Sequence, residues 1–212
     1  MGVIYLSYFI DNETPLYGGK QGEIDIKPEN LIVNGDSSNN SIIRMPSHVG
    51  THIDFPYHFS ETGSKSNDYP ASFWIFNKVG FIDCKVEDLI DKLDTFPSDI
   101  EILILKTGFG SYRGTNIYWE KQPVIPSFYA NAFKNKFPKL RVFGFDMISL
   151  TSKQDRQEGK FAHVEFLLNH NILILEDMDL SSLNETPEMV VLSPLQINAL
   201  DGVPCNVMAF IN

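Results

Sequence analysis

The sequence predicts an α/β protein: a mixed sheet core with helices packed on it, as a single domain over residues 1–212. Three observations carry this. Short apolar runs rich in Ile, Val and Phe are interleaved with segments of helical spacing. Strand-like segments outnumber helical ones, which favours a sheet as the core. The run Ile102-Leu103-Ile104-Leu105 has no polar face, as in a strand covered on both sides.

Taken in order, residues 3–10 read as a buried strand rich in Ile, Tyr and Phe. Residues 11–19 are broken by Asn12, Pro15, Gly18 and Gly19 into turns. Residues 34–40 form a polar loop and 41–45 resume as a strand. Residues 79–84 form a short strand, and 86–93 follow as a helix with apolar side chains at 86, 89, 90 and 93. Residues 100–106 make the doubly covered strand. Residues 108–122 read as loop, because Gly108, Gly110 and Gly114 interrupt them. Pro126-Ser127 opens a helix that Pro138 stops. A buried strand covers 140–145, a charged loop 152–160, a helix 161–169 and a strand 172–175. Strands at 189–192 and 207–211 close the chain.

The formal net charge is -10, which argues against a phosphate-backbone partner and so against nucleic acid. The two cysteines, Cys84 and Cys205, are far apart and form no metal-binding or redox pattern, so both are expected as reduced thiols. Residues 1–10 lack a basic stretch and a small-residue cleavage site. No run approaches a membrane span. A cytoplasmic protein acting on a small molecule is expected, with no membrane or nucleic-acid partner.

Chemistry concentrates in one segment, Ser47-His48-Val49-Gly50-Thr51-His52-Ile53-Asp54-Phe55-Pro56-Tyr57-His58-Phe59. Three of the five histidines in the chain fall within these residues. Positions 48, 52, 54 and 58 are all even, so an extended segment would present all four side chains on one face. A helix would set Asp54 off the face shared by His48 and His52, and Gly50, Thr51, Ile53 and Pro56 disfavour a helix. Imidazole and carboxylate suit Zn²⁺, Mn²⁺ or Fe²⁺. His48, His52 and Asp54 would leave coordination positions open for water, as in catalytic rather than structural sites. His58 is then a natural general acid or base.

Residues 48–59 match H-x-G-T-H-x-D-x-P-x-H-F at every fixed position. In this the sequence resembles the cyclase-like metal-dependent hydrolases, among them bacterial kynurenine formamidases and isatin hydrolases. Thr14-Pro15-Leu16-Tyr17-Gly18-Gly19, residues 102–109, Gly144-Phe145-Asp146-Met147-Ile148-Ser149, Ala162-His163 and 172–176 extend the likeness. The resemblance implies the family's swivelling β/β/α fold. It also implies one or two divalent metals, Zn²⁺ or Mn²⁺, held by His48, His52, Asp54, His163 and Glu176, with Asp54 and Glu176 shared. His58 would carry protons and Tyr17 would lie against the substrate ring. A homodimer or higher homo-oligomer would be expected.

Glu176 lies thirteen positions after His163, one more than in the family, which calls for a loop insertion or a helix bulge near 168–171. His170 lies there as a competing ligand. From the residues alone, Glu176 reads either as a site carboxylate at a strand end or as part of a solvated acidic cluster. Asp146 reads as a supporting hydrogen-bond acceptor. The function expected is hydrolysis of an aryl formamide such as N-formylkynurenine by metal-activated water. The alternatives are hydrolysis of a cyclic amide or lactone, a metal-dependent cyclase, or a non-catalytic metal-binding protein. Glu176, rather than an amide side chain, leans toward the formamidases.

Overall fold

In a computed structural model, which describes residues 2–212, the strands are β1 (Gly2–Tyr5), β2 (Asp25–Asn30), β3 (Asn40–Arg44), β4 (His52–Asp54), β5 (Ile75–Phe76), β6 (Val79–Asp83), β7 (Ile102–Lys106), β8 (Val142–Phe145), β9 (Leu173–Glu176), β10 (Met189–Pro194) and β11 (Gly202–Ile211). The α-helices are α1 (Leu89–Lys92), α2 (Asn116–Glu120), α3 (Phe128–Lys136) and α4 (Arg156–His163). β2 and β3 pair only with each other. The other nine strands form one mixed sheet in the order β5-β10-β11-β4-β9-β8-β7-β6, with β1 beside β11. β6 to β9 run parallel, joined by segments that carry the helices, as parallel strands require. β4 is antiparallel to both β9 and β11. The expected mixed α/β sheet is what the chain forms.

The core lies where the parallel strands are covered. Every residue of β8 and β9 is buried, as are Ile102 to Leu105 of β7. Phe133 of α3, Phe143 of β8 and Phe166 interlock, with ring centroids 5.0 to 5.8 Å apart. Burying a Phe side chain contributes roughly 1.5–3 kcal/mol, so this cluster fixes α3 and the segment after α4 against the sheet.

Four expectations are corrected. The first strand ends at Tyr5 and is largely exposed, with Val3 at 55% and Tyr5 at 62%. It joins β11 at the sheet margin, and its outward residues meet no covering layer. Residues 108–122 are not all loop: a 3₁₀ turn at Phe109–Tyr112 and α2 lie within them. Thr115 starts α2 immediately after the last glycine of the segment. α4 starts at Arg156, inside the expected charged loop, because the Asp155 side chain accepts the Glu158 N–H and caps it. The strand around 48–58 covers only residues 52–54.

Between His163 and Glu176 the helix carries a bulge. Residues Val164–Asn169 form a π-turn, closed by the His170 N–H donating to the Glu165 carbonyl at 3.0 Å. Phe166 and Leu167 stay buried through it, so β9 begins in register with the core.

Candidate metal centre

Strand pairing builds the floor of the site. In the antiparallel β4–β9 ladder His52 stands directly opposite Glu176, and such pairs share a face. Asp54 lies two residues on, hence on the same face. His52 Nε2 is 3.4 Å from Glu176 Oε2 and 3.5 Å from Asp54 Oδ1. His163 arrives from the last turn of α4, its Nε2 3.5 Å from Glu176 Oε1 and 3.6 Å from Asp54 Oδ2.

Two imidazole tautomers follow from the backbone. His52 Nδ1 lies 2.8 Å from the Gly50 carbonyl, and His163 Nδ1 lies 2.8 Å from the Gly159 carbonyl. A carbonyl only accepts, so each Nδ1 carries the hydrogen and donates it. Each Nε2 is left facing the carboxylates. Glu176 Oε1 is held from behind by the Leu150 N–H at 2.5 Å and the Ser149 hydroxyl at 3.2 Å.

His48 and His58 come from turns, not from the strand. Gly50 sits at φ +58, a left-handed conformation that folds the chain between His48 and His52. Thr51 secures that fold by donating its hydroxyl to the Asp177 carbonyl at 2.5 Å. Pro56 opens the 3₁₀ turn Pro56–His58, which swings the His58 ring to 4.2 Å from that of His48. The four even-numbered groups therefore do converge, but strict alternation accounts only for His52 and Asp54.

His48 Nδ1 is 2.8 Å from Asp54 Oδ1, and His48 Nε2 is 2.9 Å from Asp201 Oδ2. Burial would lower the His48 pKa, but Asp54 and Asp201 raise it to about 10. Burial is likewise overcome at His163, where Asp54 and Glu176 raise the pKa to about 9. Burial would raise Asp54, yet the surrounding imidazoles hold it well below the usual carboxylate value. Glu176 is lowered as well, its two histidines outweighing burial and the charge of Asp54.

The donor set fits a divalent cation. Asp54 Oδ1 is buried with no hydrogen bond, despite the nearby ring nitrogens. An orphaned buried carboxylate oxygen is costly unless something positive occupies the space beside it. Two groupings of ligand atoms, His48–Asp54–His58 and His52–Asp54–Glu176, each lie within 4.8 Å and share Asp54. Imidazole nitrogen and carboxylate oxygen suit zinc, manganese or iron.

A cleft of about 350 Å³ opens over this cluster. Phe59 and Ile148 line it beside the histidines, and Tyr17 stands among its walls. Phe59 stacks on His163 with centroids 4.7 Å apart, and Tyr17 meets Trp119 edge-on at 4.5 Å. His170 lies elsewhere, 3.5 Å from Glu165, so His163 is the histidine beside Asp54 and Glu176. Asp146 grips the turn after β7, accepting the N–H groups of Thr107, Gly108 and Gly110 and the Thr107 hydroxyl.

Sequence reasoning missed Asp201, whose Oδ2 also lies 2.9 Å from His58 Nδ1. It also missed the network at the residue after Glu176. There Asp177 accepts a paired contact from Arg113 and a hydrogen bond from the Tyr118 hydroxyl at 2.6 Å. No spacing rule links 201 to 48 or 113 to 177; only the β4–β11 pairing and the turn after β7 bring them together.

The chain belongs to the putative cyclase family, whose model matches residues 4–151. It is 31% identical over 166 residues to a kynurenine formamidase of Bacillus cereus, covering 76% of this chain and 75% of that protein. A kynurenine formamidase of Bacillus mycoides is 31% identical over 176 residues, covering 81% and 79%. Among solved structures, isatin hydrolase A of Labrenzia aggregata superposes with a TM-score of 0.81 at 19% identity, covering 98% of this chain and 93% of that one. A potential metal-dependent hydrolase with cyclase activity gives 0.74 at 21% identity, covering 98% and 96%.

Proposed function

We propose that the protein is a divalent-metal-dependent amidohydrolase that cleaves the C–N bond of a small aryl formamide such as N-formylkynurenine. The observation that carries this reading is the buried, orphaned Asp54 Oδ1 ringed by imidazoles at the floor of an aromatic-walled cleft. The kynurenine formamidase relatives support the substrate class.

His48, His52, Asp54, His163 and Glu176 would hold the metal, zinc or manganese, in one or two ions. A bound cation supplies Lewis acidity, polarising a carbonyl and acidifying water. The remaining work falls to side chains. Tyr17, Phe59 and Ile148 pack the aryl group and keep bulk water from it. His58 takes a proton from the attacking water at Nε2 and delivers it to the departing nitrogen. The formyl C–N bond breaks, a C–O bond forms, and formate and the arylamine leave.

The test is hydrolysis of N-formylkynurenine by purified protein, after chelation and after adding back Zn²⁺ or Mn²⁺, with isatin as the comparison substrate. Formate release that vanishes on chelation and returns with metal is expected. His58→Ala is expected to keep its metal and lose about 100-fold or more in kcat, the usual scale for a proton-transfer group. Wild-type turnover in that variant would remove His58 from the reaction. Activity on isatin alone would replace the formamide by a cyclic amide.

A further inference from the structure

We infer that Asp201 is the positioning residue of this site, a single carboxylate oxygen that sets the ring orientation and tautomer of both His48 and His58. This deepens the hydrolase reading and rests on it. Asp201 Oδ2 lies 2.9 Å from His48 Nε2 and 2.9 Å from His58 Nδ1. An ionised carboxylate only accepts, so both of those nitrogens carry hydrogen. Each ring keeps one nitrogen for other work. On His48 that is Nδ1, the atom beside Asp54. On His58 it is Nε2, the atom the proposed proton transfers require. A carboxylate behind a ligating or proton-carrying imidazole is a recurrent way to fix the tautomer.

The fold delivers Asp201 rigidly. Its carbonyl accepts the Phe55 N–H at 2.9 Å, next to Asp54 in the chain. The following residue, Gly202, pairs with Asp54 in the β4–β11 ladder. A Cβ at Gly202 would collide with the His48 ring, lying 2.7 Å from its Nε2. Glycine there lets the imidazole lie against the strand while its neighbour grips it. The second oxygen, Oδ1, faces the Ser47 hydroxyl at 3.4 Å.

The same oxygen serves the reaction while His58 holds a second proton between accepting it from water and giving it to nitrogen. It then pairs with the imidazolium through the existing Nδ1–H contact. No bond to Asp201 forms or breaks.

The experiment uses the full zinc-loaded chain labelled with ¹⁵N-histidine, as wild type, Asp201→Ala and Asp201→Asn, with His58→Ala to assign the ring signals. In the wild type His58 should show a protonated Nδ1 and an unprotonated Nε2. Asp201→Ala should populate the other tautomer. Its kcat on N-formylkynurenine should fall about 100-fold or more, with KM within about threefold. Asp201→Asn keeps an oxygen in place and should fall less. An unchanged His58 tautomer in Asp201→Ala, with kcat within about threefold of wild type, would overturn the assignment. So would loss of zinc with an unchanged tautomer, which would make Asp201 a support for the metal alone. If the wild type fails to cleave the formamide, the substrate reading fails while the tautomer measurement still decides the role of Asp201.

Discussion

His48 Nδ1 stands 2.8 Å from Asp54 Oδ1, and that oxygen is nonetheless buried without a hydrogen bond. Without metal, the cluster holds its charge balance by keeping protons on imidazoles: His48 at about 10 and His163 at about 9. A cation must displace those protons, because only an unprotonated ring nitrogen ligates. Metal binding at neutral pH should therefore release about two protons, and affinity should rise with pH until it passes about 9–10. Calorimetry of Zn²⁺ binding in buffers of different ionisation enthalpy measures the release. A pH-independent affinity with no proton release would contradict this arrangement.

The same protons set the stability of the metal-free protein. A histidine whose pKa is higher folded than unfolded stabilises the fold fully below its unfolded value of about 6.5. That contribution is lost as pH rises through the folded values of about 9 at His163 and about 10 at His48. Chelated protein should lose thermal stability between pH 7 and 10. Metal-loaded protein should lose less, its ligating rings being already unprotonated. Parallel Tm-against-pH curves for the two forms would refute this.

The 48–58 cluster was legible in the sequence because its members are neighbours, and four potential ligands in one short segment leave few bland explanations. His163 and Glu176 were legible only through resemblance, since their meeting with Asp54 depends on α4 and on the β4–β9 pairing. Asp201 and the Arg113–Asp177 pair were not legible at all. Their partners lie 153 and 64 residues away along the chain. The start of α4 did carry a local signal, Asp155 followed by Glu158, which the density of charge around it obscured. β1 was misjudged as buried because apolar composition does not distinguish a strand at an uncovered sheet margin from one in the interior.

Arg113 pairs with Asp177, the residue after Glu176, and the Asp177 side chain is only 2% exposed. Asp177 also takes a left-handed φ of +50, which turns the chain at the end of β9. Removing the guanidinium would strand a buried carboxylate and leave Tyr118 as its remaining side-chain donor. Arg113→Ala should cost about 3 kcal/mol, or roughly 6–12 °C in Tm for a chain of this size. Thermal unfolding of wild type and variant checks it. A shift below about 2 °C would mean that water replaces the guanidinium without penalty.

Gly202→Ala probes the seat of His48 without removing a polar group. The added Cβ would meet the imidazole, and β11 is held in place there by its pairing with β4 at Asp54. The ring must move instead, carrying Nδ1 away from Asp54. Metal affinity should fall about tenfold or more, within the range seen when groups supporting a ligand are disturbed. The Gly202 backbone is not left-handed, so the substitution adds no φ strain. Competition with a chromophoric chelator measures the affinity, and an unchanged value would show that the ring tolerates displacement.

Tyr17 tests the cleft rather than the chemistry. It lines the opening and packs edge-on against Trp119, and among the described residues its hydroxyl makes no hydrogen bond. Burial raises its pKa, so the phenol stays neutral through the working pH range. Its contribution should therefore come from the ring face alone. Removing an aromatic partner for an aryl substrate costs about 0.5–1.5 kcal/mol beyond the lost contact area. Such contact is made equally in the ground state and the transition state, so it shows in KM and not in kcat. Tyr17→Ala should raise KM for N-formylkynurenine about 3- to 15-fold with kcat within about twofold, and Tyr17→Phe should match the wild type. A drop in kcat in Tyr17→Phe would mean that the hydroxyl takes part in the reaction, and the aromatic-wall account would have to be abandoned.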